Sequence, residues 1–231
     1  LPDRQHEYGA TELLKRIVRP TEKPRVGQVT DVRLWTVQER AFVIAHYIAH
    51  IAEGDPNFAI GDKGARFSDY LIEADGAPDQ IELGTVAEDF WKMQPLLGAH
   101  AESIERLVMS ERLPAVRHGW WVGAMAAQMF RANEEPFDVV NQMDAALDDY
   151  IADRAEILLA FPESDFLDLL QAFLIGTERL EHIFKMEFID SGVVFLPAKE
   201  VPGATPARFP FSLAISDRAA RAFGRSDGAG D

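Results

Sequence analysis

The chain contains no cysteine among its 231 residues. That single absence excludes disulfides, zinc–thiolate sites, iron–sulfur clusters and cysteine nucleophiles, and it leaves the compartment open. Long apolar runs are missing too. The longest, GWWVGAMAAQMF at 119–130, is bounded by Arg117 and Arg131 and falls well short of the roughly 20 residues of a membrane span. The expectation is a soluble chain, with the cytoplasm as its default setting and the compartment itself unknown. Several sequence motifs with a set chemistry are also absent: there is no GxxxxGK, GxGxxG or HExxH, and no EF-hand spacing in the acidic run DAALDDYIADRAE. There is no internal repeat. The chain opens on Leu1 rather than methionine, which suggests processing or trimming, with no signal peptide left to identify.

What is abundant is negative charge, and it is unevenly placed. Net charge is −15. Residues 1–35 carry 7 basic and 5 acidic side chains, residues 191–231 carry 5 and 4, and residues 36–190 carry 11 and 29. An acidic body repels phosphate backbones, and no basic recognition helix is present, so a nucleic-acid partner is not expected. The weakly basic ends could instead dock on the acidic bodies of neighbouring copies.

Apolar spacing is mostly helical. TELLKRIV places Leu13, Leu14, Ile17 and Val18 on one face. TVQE at 36–39 is a capping box that opens a helix running to about Glu53, where GDP stops it. Residues 54–84 are rich in glycine and aspartate, with a short helix expected at FSDYLIEA. A second box, TVAE at 85–88, predicts a helix to about residue 111, kinked or broken at Pro95. Pro114 suits a first helical turn, and the apolar helix after it repeats Gly119, Gly123 and Ala127, a spacing that lets another backbone come close. Further helices are expected over about 138–160 and 164–188. GVVFLP at 192–197 is the one strand-like stretch. The prediction is an all-α helical bundle of about five to seven helices over 36–190, with an N-terminal arm at 1–35 and a proline-containing C-terminal arm at 191–231. Val194, Phe195, Phe209, Phe211 and Leu213 make that second arm too apolar for a solvated tail. It should pack on its own bundle or on a partner subunit.

The chemically interesting residues are histidines. On a helical wheel Glu39, His46 and His50 lie within roughly 20° of one line, opposite Val37, Ile44, Ile48 and Ile51. The simplest meaning is the wet side of an amphipathic helix. If the stripe were buried, His46 and His50 could bind one metal ion with Glu39, and Glu178 and His182 could complete the set from another helix. Imidazole with carboxylate suits zinc, iron or manganese. The di-iron bundle pattern is excluded, because the positions three before His46, His50, His100, His118 and His182 hold Val43, Tyr47, Leu97, Ala115 and Arg179. His118, in the most apolar helix, is either a satisfied core histidine or a ligand or cofactor contact.

The expectation is thus a non-catalytic helical interaction protein, an accessory, assembly or structural subunit that associates through its arms with a protein partner or with itself. The alternative is a helical enzyme or binding protein with a non-standard His/Glu metal or small-ligand site between helices.

Overall fold

The structure is a computed structural model that describes residues 6–19, 29–51, 55, 57–60, 64–73, 76, 78–113, 117–142, 144–190 and 192–207. Among them are six α-helices and seven β-strands. The strands form three small antiparallel sheets, so the fold is mixed α and β, and the all-α expectation is corrected.

The first helices follow their sequence signals. Helix α1 (His6–Ile17) buries Ala10, Thr11 and Leu14. Helix α2 (Val37–Ile51) is preceded by both halves of the Thr36 capping box. The Glu39 amide donates to Thr36 Oγ1 at 3.1 Å, and the Thr36 amide donates to Glu39 Oε2 at 2.8 Å. Its Val37, Ala41, Ile44 and Ala45 face inward.

The hairpin that follows is where the helical prediction fails. Strands β1 (Ala59–Ile60) and β2 (Ala65–Arg66) form a short ladder, continued by a 3₁₀ turn at Phe67–Asp69. Then β3 (Ile81–Val86) and β4 (Asp89–Met93) pair across a two-residue turn in which Ala87 (φ 48°) and Glu88 (φ 68°) are both left-handed. Positive φ at both central residues is the type I′ pattern, whose twist matches that of the flanking strands. TVAE therefore closes a hairpin instead of capping a helix. The helix expected across 85–111 is confined to α3 (Gly98–Met109).

Helix α4 (Arg117–Gln128) runs into β5 (Met129–Arg131), the third strand of the β3–β4 sheet. Gly123 does allow close approach, because a Cβ there would lie 2.9 Å from Ile104 Cγ2 of α3. Helices α5 (Ala145–Leu159) and α6 (Glu163–Arg179) follow. Helix α6 lies on the β3–β4 hairpin at Gly176, where a Cβ would meet Met93 Sδ at 2.5 Å and Leu83 Cδ2 at 2.7 Å. The helix predicted to reach 188 ends at Arg179, and β6 (Lys185–Ile189) pairs with β7 (Gly192–Leu196).

One apolar core links residues from α2 to β7, including Val37, Trp91, Ile104, Met125, Ile151, Phe173, Phe184 and Phe195. A satellite cluster of Ala10, Leu14, Val32 and Ile44 joins α1 to it. Of the C-terminal arm, Val194 and Phe195 are buried within their own chain. Phe209, Phe211 and Leu213 lie outside the described residues.

Candidate functional site

Two residues singled out by the sequence, Glu39 and His182, each bond Thr36 at the start of α2. Thr36 pairs with Leu97, which sets the beginnings of α2 and α3 side by side. His182 lies in the turn after α6. Its Nδ1 is 3.0 Å from the Leu180 carbonyl, which requires the proton on Nδ1, so Nε2 accepts the Thr36 hydroxyl at 3.1 Å. Thr36 Oγ1 also accepts the Glu39 amide. A hydroxyl, an imidazole and an orienting carbonyl in a row resemble a nucleophile and its base. Here, though, both side chains are buried, at 7 % exposure each, and the hydroxyl is spent as donor and acceptor on the fold.

Gln38 anchors the same turn. Its Oε1 accepts the amides of His182, Ile183 and Phe184 at 3.1, 2.9 and 3.0 Å. Next to this turn Glu181 accepts the Met186 amide at 2.7 Å, and burial pushes its carboxyl pKa up to about 7. An open cleft of about 370 Å³ lies in front of Thr36 and Glu39, lined also by Leu34, Gln94 and Leu97. A second, of about 400 Å³, lies beside Trp35, Phe42 and Val43. Glu39, whose Oε2 already holds the Thr36 amide, lines both.

A second polar cluster fastens α1. Arg40, 2 % exposed, donates to the Glu7 carbonyl at 2.8 Å and to Thr11 Oγ1 at 2.7 Å. Glu102, also buried, bonds Thr11 and pairs with Arg33 at 3.2 Å. Glu105 accepts the amides of Glu7 and Tyr8 and so caps α1 from α3. Burial, reinforced by the nearby Glu7 carboxylate, raises the Glu105 pKa to about 7. Arg106 holds Asp148 of α5 through Nε at 3.0 Å and Nη2 at 2.7 Å. His100 is fully buried, which lowers its pKa to about 4. Its Nδ1 accepts the Leu97 amide at 3.3 Å. Nothing in the sequence singled out Arg40 or Glu105, because their roles arise only when α1, α2 and α3 meet.

The remaining sequence candidates are dispersed. His46 is exposed, with its ring centroid 4.3 Å from that of Phe42 and 5.4 Å from that of Phe67. His50 is exposed at the end of α2, His118 is exposed in the first turn of α4, and Glu178 is exposed on α6. Among the described residues, no three His, Asp or Glu side chains are grouped to hold a metal ion.

Helix α6 has one buried face and one exposed face. Its inner face, with Leu169, Phe173, Gly176 and Thr177, is buried. Its outer face carries three exposed apolar side chains: Leu167, Leu174 and Ile175 are 54 %, 40 % and 50 % exposed. These three, with Gln171 between them, fall within roughly a third of the helix circumference at 100° per residue. Ile157 and Leu159, at the end of α5, are exposed too. The helix is acidic: α6 has Glu163, Asp165, Asp168 and Glu178 against one cation, Arg179, whose Nη1 donates to the Glu82 carbonyl at 2.7 Å. Scattered exposed leucines are ordinary; these three are aligned along one side of a single helix.

Among the described residues, no helix is long and apolar enough to cross a membrane. Compared with protein-family models, with curated proteins and with solved structures, the chain finds no match.

Proposed function

We propose that the protein is a non-catalytic interaction subunit and that the outer face of α6 is a principal contact surface. The observation that carries this reading is the exposure of Leu167, Leu174 and Ile175 on a helix whose opposite face is already packed. Three large apolar side chains aligned on the exposed side of a helix are more than its own fold needs, since the opposite side already supplies the core contact. The commitment of Thr36, Gln38 and His182 to backbone and capping bonds supports the non-catalytic half of the reading. Interfaces draw their energy from a few well-packed apolar anchors, and α6 offers three.

Sedimentation velocity on the wild-type chain and on Leu167→Asp/Ile175→Asp tests this. Both positions are at least half exposed, so the variant should fold. Concentration-dependent association that the variant loses at an unchanged melting temperature supports the reading. Identical behaviour of the two proteins overturns it.

A further inference from the structure

The occupant of the α6 face can be argued from charge and composition. The face presents Leu167, Leu174 and Ile175 amid Glu163, Asp168 and Glu178. Its partner should therefore be apolar and cationic together. This chain contains such a segment. Residues 208–226 carry Arg208, Arg218, Arg221 and Arg225 against the single Asp217, interleaved with Phe209, Phe211, Leu213, Ile215 and Phe223. It stands out in a chain of net charge −15. It continues directly from Ala207, whose amide and carbonyl are fixed to Phe195 of β7. We propose that the C-terminal segment of one copy docks on the α6 face of a second copy, with its aromatic and aliphatic side chains over Leu167, Leu174 and Ile175 and its arginines on the carboxylate rim. This rests on the reading of α6 as a contact surface and adds the identity of what covers it. Reciprocal exchange of the segments gives a closed dimer with two such contacts.

Two full-length variants test it, one altered in the segment (Arg218→Glu/Arg221→Glu/Arg225→Glu) and one in the face (Leu167→Asp/Ile175→Asp). Melting temperature and circular dichroism establish that each folds. The wild type is expected to be a dimer that weakens as salt is raised, and each variant alone is expected to associate at least tenfold more weakly. Mixing the two variants should restore a heterodimer, because the segment of the face variant still meets an intact face on the other chain. That rescue is specific to segment-on-face contact between copies. A segment variant that dimerises like wild type overturns the inference while leaving α6 as a contact surface if the face variant is monomeric. A monomeric wild type, or a mixture that stays monomeric, overturns exchange between copies outright.

Discussion

Glu105 caps the N-terminus of a helix far from it in the chain: its carboxylate takes the amide of Glu7, 98 residues earlier, at 3.2 Å and the Tyr8 amide at 3.3 Å. A carboxylate at a helix N-terminus is favourable, because unpaired amides and the positive end of the helix dipole both face it. Burial nonetheless dominates its titration and raises the pKa from 4.5 to about 7. Between those values the unfolded chain has lost a proton that the folded chain keeps. The stability contribution is therefore full below pH 4.5 and is lost as pH rises through 7. Glu105→Gln removes the titration. The stability difference between wild type and Glu105→Gln should shift against the wild type by about 2 kcal/mol from pH 4.5 to 8, on the order expected for such a displacement. Urea denaturation across that range measures it, and parallel curves for the two proteins would rule it out.

The attachment of α1 also depends on Gly98. A Cβ at that position would lie 2.0 Å from Arg40 Nη1. Elsewhere a long side chain would swing aside, but Arg40 is 2 % exposed and tied to Glu7 and Thr11. Gly98→Ala should therefore cost about 2–4 kcal/mol by dislodging a buried cation from its partners. The cost should be strongly non-additive with Arg40→Ala, which removes the clash along with the cluster. A double-mutant cycle reads this directly. Additive single effects would show that Gly98 serves something other than Arg40.

The turn at Ala87 and Glu88 shows why part of the fold was not legible. Asn-Gly is the sequence signature of a type I′ hairpin, and this chain forms the turn with two residues that disfavour positive φ. Without that signature, Thr85 and Glu88 matched a capping box, and Phe90 followed by Leu97 happened to match a helical period. The strand signal here is only the brief Ile81–Glu82–Leu83 alternation. It follows that Ala87→Asn/Glu88→Gly should raise stability by about 1–2 kcal/mol, read as a higher melting temperature. A neutral or destabilising outcome would mean that the turn residues make contacts beyond their backbone conformation.

The end of α6 shows the other kind of illegibility, and it also bears on the candidate site. Leu180, Ile183 and Phe184 continue the helical period of Leu169, Phe173 and Gly176, with no glycine or proline to stop it. The stop comes from distant sequence. Gln38 takes the amides of His182, Ile183 and Phe184, and the Ile183 carbonyl accepts the Ile72 amide at 3.0 Å. Helical spacing marks Glu39 and His182 as polar positions, and the TVQE box does cap α2 at Thr36. That His182 leaves its helix to meet Thr36 depends on Gln38, which no periodicity marks. Gln38→Leu should thus cost at least about 3 kcal/mol, since it strands three amides where water reaches poorly. Hydrogen exchange gives the sharper test. Protection at 182–184 should fall in Gln38→Leu while the β6–β7 ladder amides stay protected. Undiminished protection at those three positions would show that the chain turns there for reasons of its own and that Gln38 follows the turn instead of making it.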